Sequence, residues 1–277
     1  NVTQAATIFD WSGATATPGT GDWDTSSLNW NTFTTAYSTS NTQIANFPDL
    51  TGGGTVSLTA SFSPLVLNIS NNSGNPYVFA GAGKLTGSTP INKTGTGRAT
   101  FTGASHDYSG ATTISAGAIV KQAADGTTGS ISVTTNGASF ALDGTLGDMS
   151  DGSGQTLYIA GAGIATTGYF DTPVSSQAYR GALQSTVGSN TWAGNIVLTS
   201  TATGNTTINR IGVQPGADLT LTGTISENIA GTSLLFRGGS SGDNITLAGA
   251  GTYSYTNETQ MYSDGGTIIF GSDNKLP

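Results

Sequence analysis

Residues Phe101 to Val120, FTGASHDYSGATTISAGAIV, recur in altered form at Leu247 to Phe270, LAGAGTYSYTNETQMYSDGGTIIF. In each copy a Gly-Ala pair leads to a tyrosine, Tyr108 or Tyr255, and six residues later stands an apolar residue, Ile114 or Met261. A glycine turn then opens onto a short apolar strand, Ile119-Val120 or Ile268-Ile269. Such self-similarity marks a fold that stacks one supersecondary unit on the next. A stacked chain is elongated, and an elongated scaffold suits surface, adhesive and filament roles better than pocket chemistry.

The composition agrees. Charged residues make up 9% of the chain and hydrophobic residues 35%, with 41 glycines among 277 residues. Disorder needs low hydrophobicity together with high charge, and the charge is missing here. Short Thr, Val and Ile runs bounded by Gly, Asn, Asp and Ser read as strands and turns. They fall at Thr55-Leu58, Leu65-Ile69, Tyr77-Ala80, Ala99-Phe101, Thr112-Ser115, Ile119-Lys121, Ile131-Thr134, Ser139-Leu142, Thr156-Ile159, Ile196-Leu198, Thr206-Ile208, Leu219-Leu221, Leu234-Phe236, Asn244-Leu247 and Thr267-Phe270. That rhythm fits a sandwich, a barrel or a solenoid. The repeat and the corner glycines favour an all-β, right-handed parallel β-solenoid (β-helix) of roughly a dozen coils at ~22 residues each.

Phe101, Ile114, Ile119, Leu142, Leu219, Leu221, Leu234, Phe236, Leu247, Ile268 and Phe270 are then expected to point inward. The stretch Ala165 to Ser189 breaks the rhythm and is expected to loop out or widen a coil. The first ~50 residues stand apart as a Trp-rich N-terminal cap or assembly segment, with residues 51–277 forming the repeats, which could continue beyond the C-terminus.

A net charge of −8 with only eight basic residues disfavours nucleic acid and anionic membrane surfaces. Cysteine is absent, so the backbone ladder and the interior must hold the fold without disulfides. No apolar run approaches the ~20 residues of a membrane span. Asn1-Val2-Thr3 lacks the basic and apolar regions of a signal peptide, so export implies that one was already removed.

His106 is the single histidine, in Ser105-His106-Asp107. Three adjacent residues on a strand or turn point apart and do not make a Ser-His-Asp relay, which is defined by geometry. Two glutamates, Glu227 and Glu258, and fourteen aspartates are spread mostly through turns; Asp22-Trp23-Asp24 is the one closely spaced acid pair. Turn acids are explained by Asx-turns. No catalytic or cofactor site is therefore assigned.

Asp148-Met149-Ser150-Asp151-Gly152 and Asp243-Asn244 offer oxygens to a surface calcium ion, although neither fits a known calcium loop. Trp11, Trp23 and Trp30 could stack on sugar rings or plug the open end of the first coil, which would otherwise expose apolar residues and unpaired backbone groups. Seven Asn-x-Ser/Thr triplets start at Asn1, Asn68, Asn71, Asn92, Asn205, Asn244 and Asn257.

The segment FTGASHDYSGATTISAGAIV resembles the autotransporter passenger-associated β-strand repeat, with its apolar-Thr-Gly-Ala opening, Tyr-x-Gly and Thr-Thr-Ile-x-x-Gly. Arg180 to Leu198 resembles a companion element through Asn190-Thr191-Trp192 and Gly194, and Leu221 to Ser226 also fits. Gly21 to Phe33 resembles the Trp-rich opening found ahead of such repeats.

The resemblance implies a bacterial secreted or surface solenoid with no catalytic motif; the family's C-terminal membrane barrel is not present in this sequence. The expected role is a non-enzymatic extracellular filament, sheath or adhesive stalk. The alternatives are a carbohydrate-binding or carbohydrate-cleaving β-helix, or the passenger of an autotransporter adhesin. The expected partner is a second copy stacked head to tail, with Ala5, Ala6, Thr7, Ile8 and Phe9 as a strand-addition segment. Surface glycans are a further candidate partner.

Overall fold

The computed structural model describes residues 5–38, 42–103, 106–167, 172–173, 180–249, 253–262, 264–271 and 276. Strands from successive turns of the chain pair in parallel and build two ten-membered faces. The first face runs Thr7–Asp10, Gln43–Phe47, Val66–Ile69, Ile91–Lys93, Thr112–Ile114, Ile131–Val133, Thr156–Ile159, Asn195–Leu198, Ile225–Glu227, Tyr253–Ser254. The second runs Gly21–Trp23, Gly54–Leu58, Tyr77–Ala80, Arg98–Phe101, Gly117–Lys121, Ala138–Asp143, Leu183–Trp192, Asn209–Val213, Leu234–Arg237, Thr259–Tyr262. A third, shorter face joins Ser150–Asp151, the end of Leu183–Trp192, Ala217–Leu221, Asn244–Leu247 and Thr267–Phe270. The parallel β-solenoid anticipated from the repeat is therefore the fold.

Strand alternation explains the interior. Gln43–Phe47 alternates buried and half-buried residues, because successive side chains leave opposite faces of a strand. In-register stacking then lines like positions into ladders. On the first face Phe47, Ile69, Lys93, Ile114, Val133, Ile159 and Leu198 follow one another. On the second the order is Val56, Phe79, Phe101, Lys121, Leu142 and Ser185. The Phe79 and Phe101 rings stack 4.7 Å apart.

A polar ladder runs along the outside of the first face. Asn92 donates to Asn68 (3.0 Å), Asn68 to Asn46 (2.9 Å) and Asn46 to Asp10 (2.9 Å).

Several expectations need correction. Among the described residues each main face has ten strands, where roughly a dozen coils were expected. First-face strands begin at Val66, Ile91, Thr112 and Ile131, intervals of 25, 21 and 19 residues, but the next intervals widen as the third face is inserted. Thr206–Ile208 is not a strand: Thr207 and Ile208 both donate their N–H to Gly204 O (2.8 Å each), a turn, and the strand follows at Asn209–Val213. The stretch expected to loop out or widen a coil does widen its coil, with 39 residues between the first-face strand starts Thr156 and Asn195, and it contains most of the ten-residue strand Leu183–Trp192. Its polar Gln184 and Ser185 are fully buried, which is why it does not read as an apolar strand.

Of the eleven residues expected inside, Ile268 is only partly buried and Phe270 is 41% exposed; among the described residues no coil covers them. The two copies of the repeat also sit on different faces. Tyr108 precedes first-face strand Thr112–Ile114, whereas Tyr255 precedes second-face strand Thr259–Tyr262. They share one local device: each tyrosine hydroxyl meets the threonine four residues on, Thr112 at 3.2 Å and Thr259 at 2.5 Å.

Candidate functional site

The most concentrated chemistry in the molecule lies inside the solenoid, where the second face meets the start of the third. Lys121 is the last residue of Gly117–Lys121, and Asp151 closes Ser150–Asp151. Ile119 points inward, so alternation turns Lys121 inward too. Its register neighbours are Phe101 and Leu142. The ammonium lies 2.8 Å from Asp125 Oδ1 and 2.6 Å from Asp151 Oδ2, and the three side chains are 5%, 2% and 3% exposed.

Asp125 is firmly held, because its Oδ1 also accepts from Thr127 N (3.0 Å) and Thr127 Oγ1 (2.6 Å). Gln155 Nε2 reaches Thr127 Oγ1 (3.4 Å) and Gly129 O (2.8 Å). Asp151 Oδ2 differs: Lys121 is close but not aligned as a donor, and this buried oxygen makes no hydrogen bond. Burial alone would lower the Lys121 pKa, but the Asp151 and Asp125 carboxylates overcome it and raise it, as opposite charges favour the charged form.

His106 borders this cluster and is 2% exposed. Its Nδ1 accepts the Leu85 N–H at 3.0 Å, which places its proton on Nε2. Burial is the main cause that lowers its pKa, so the ring is neutral. Asp107 faces solvent and pairs with Lys84 at 2.6 Å. His106 and Asp107 thus point apart, and Ser105 lies outside the described residues.

A second inward lysine stands alone. Lys93 is fully buried in the first-face ladder. Its Nζ donates to Gly95 O and, at 3.5 Å, to Asn71 O. Burial, opposed by the charge of Asp49, pushes its pKa down to about 7.

Trp11, Trp23 and Trp30 are 1%, 0% and 0% exposed. They fill the first coil with Tyr37, Phe47 and Phe62; Trp23 stacks on Phe62 at 5.0 Å and meets Trp30 edge-on at 5.3 Å. Enclosed rings offer a glycan no face, so sugar stacking there is not available. Ala5 to Ile8 are exposed and Phe9 is buried. Thr7–Asp10 is already paired along one edge with Gln43–Asn46.

The acids considered for calcium are engaged within the protein. Asp148 accepts from Ser189 N (2.8 Å), and Asp243 from Gly216 N (3.0 Å) and Ser240 Oγ (2.9 Å). Asp24 caps the turn at Ser26 and Ser27. No group of three or more His, Asp or Glu residues placed to hold a metal ion occurs among the described residues.

Of the glycosylation triplets, Asn71 is fully buried and donates to Asn75 O (2.8 Å) and Arg98 O (2.9 Å). Asn68 and Asn92 belong to the polar ladder. Asn205 and Asn257 are exposed, Asn244 donates to Asp218 Oδ1 (3.1 Å), and Asn1 lies outside the described residues.

The fold defines a parallel β-solenoid with an apolar interior interrupted by two buried lysines. Residues 91–120 match the family model described as the passenger-associated-transport-repeat, so that stretch carries an autotransporter passenger repeat. That span holds Lys93 and ends beside Lys121. No curated protein and no solved structure matches the chain. No described helix is long and apolar enough to cross a membrane.

Sequence reasoning missed Lys93 and Lys121. The signal was present, since a lysine two residues beyond an inward isoleucine shares its face.

Proposed function

We propose that this chain is a length of a non-enzymatic extracellular scaffold, a surface filament, sheath or adhesive stalk. The observation that carries the reading is the apolar surface on Thr259–Tyr262 and Thr267–Phe270. Met261, Tyr262, Ile269 and Phe270 are 44%, 57%, 41% and 41% exposed there. Apolar residues on the last strand of a sheet invite another strand. A further coil of the same polypeptide, or the Thr7–Asp10 edge of a second copy, fits that surface, and repeated head-to-tail contact makes an open filament.

The non-catalytic part of the reading rests on how the acids are used. Asp49 accepts from Asn72 N (2.7 Å) and Asn75 Nδ2 (2.8 Å), and Asp218 from Asn244 N (2.7 Å). These carboxylates tie one coil to the next.

Electron microscopy with light scattering tests the proposal. Rods of uniform width, elongating with concentration and shortened by Phe270→Asp, support it. Isometric particles would count against it, as would sugar release from polysaccharides abolished by one acid-to-amide change.

A further inference from the structure

We infer that Lys121 and Asp151 become joined by an amide bond that staples two successive coils, with Asp125 as the group that moves the proton. Three observations lead there. Lys121 Nζ lies 2.6 Å from Asp151 Oδ2, so the carboxyl carbon is one bond further on. That oxygen is buried and makes no hydrogen bond, so the amine faces the carboxyl without being locked into an ordinary donor geometry. The second carboxylate, Asp125, touches the same nitrogen at 2.8 Å and is fixed by Thr127.

The site is dry and apolar. Phe101 and Leu142 flank Lys121 along the ladder, and all three reacting side chains are at least nine-tenths buried. Such a site supplies proximity and excludes the water that would reverse the reaction.

The step balances without any other reactant. The ammonium gives one proton to Asp125, and the freed nitrogen lone pair attacks Cγ of Asp151. The N–Cγ bond forms and one Cγ–O bond breaks. The departing oxygen takes two protons from the lysine nitrogen, one of them carried by Asp125, and leaves as water. The product is a neutral secondary amide beside a regenerated Asp125 carboxylate, and the net charge of the cluster stays at −1. The two carboxylates hold the proton on Lys121, so transfer to Asp125 is the slow event and the bond matures after folding.

Peptide mapping of the full protein decides the matter. Lys121 is the only Lys or Arg between Arg98 and Arg180. Trypsin should therefore leave residues 99–180 as one piece, about 18 Da lighter than its sequence because one water is lost, with fragment ions absent between 121 and 151. Asp125-Gly126 and Asp151-Gly152 could also lose water by forming a succinimide. A succinimide would leave Lys121 cleavable and would persist in Lys121→Met.

The proposal expects full mass in Lys121→Met and Asp151→Ala, and slowed or absent mass loss in Asp125→Asn. Normal cleavage after Lys121 in wild-type protein that has first folded and is then denatured for digestion overturns it, and so does an 18 Da loss that survives Lys121→Met. The wild-type map gives this answer whether or not the variants fold.

Discussion

Lys93 stands directly in register with Ile69 of the preceding coil, inside a ladder otherwise built of Phe, Ile, Val and Leu side chains. A buried amine in such a row is favoured neutral, and its pKa of about 7 in the folded chain sits far below the ordinary 10.5. Between those values the unfolded chain binds more protons than the folded one, so stability rises with pH. The free energy of unfolding should climb from pH 7 towards pH 10, by on the order of 3–5 kcal/mol if the full shift is expressed, as read from denaturant titrations. Lys93→Met should flatten the climb, and an unchanged slope in that variant would refute the assignment.

Above pH 10 the trend should reverse. Burial raises the pKa of Tyr37, Tyr77, Tyr108, Tyr253 and Tyr255. A phenol kept protonated in the fold contributes stability below its unfolded pKa of 10 and loses it as pH rises further. Absorbance at alkaline pH should show these tyrosines ionising together with unfolding, rather than along a smooth titration.

Leu221 is 1% exposed between Trp192 and Leu247 in the third-face ladder. Leu221→Asp places an unpaired carboxylate among apolar side chains and should cost more than 4 kcal/mol, enough to unfold the neighbouring coils. Phe270→Asp, at a 41% exposed position, should leave circular dichroism and protease resistance close to the parent. Equal stability of the two variants would overturn the inward assignment of Leu221.

Asn68 both donates to Asn46 and accepts from Asn92. Removing it with Asn68→Ala breaks two half-buried hydrogen bonds and should lower stability by about 1–2 kcal/mol. Hydrogen exchange should quicken first in Gln43–Phe47 and Ile91–Lys93, the strands on either side.

Gly117 has φ +68°, and a Cβ there would press on the carbonyl oxygens of Gly97 and Gly95 and lie 2.8 Å from Lys93 Nζ. Gly117→Ala should cost about 2 kcal/mol or more through strain in the left-handed region and the clash. Thermal unfolding of that variant within a degree of the parent would contradict the close approach.

The fold was legible in the sequence because its main signals are local. Strands such as Tyr77–Ala80 and Thr156–Ile159 announce themselves by alternation and flanking turns. Leu183–Trp192 did not, because Gln184, Ser185 and Asn190 are buried polar residues: Gln184 donates to Ser139 Oγ at 3.1 Å and Asn190 accepts from Met149 N at 3.2 Å, both distant in sequence, while Ser185 Oγ accepts from Asn190 Nδ2 at 2.9 Å. The Tyr108 and Tyr255 copies looked equivalent because each begins a Tyr-x-x-x-Thr corner, yet a solenoid has several similar corners and the motif does not say which.

The lysine cluster was hidden for another reason. Lys121 can be placed inward from Ile119 alone, but its meeting with Asp151 depends on how many residues each coil spends on its turns.

The strands lie across the long axis, and every backbone bond between coils points along it. A pull on the two ends therefore loads the Asn46–Asn68–Asn92 row and the hydrogen bonds beside it in the direction of the force. Most contacts join a coil to its two neighbours, with Arg180 reaching past one coil to Gly238 O and Asp264 (3.0 Å each), so the molecule should yield mainly by shedding coils one after another, with a sawtooth of force peaks, rather than by snapping at a single weak joint. Such a body lengthens in steps and resets as coils restack, which is the behaviour of a shock-absorbing tether.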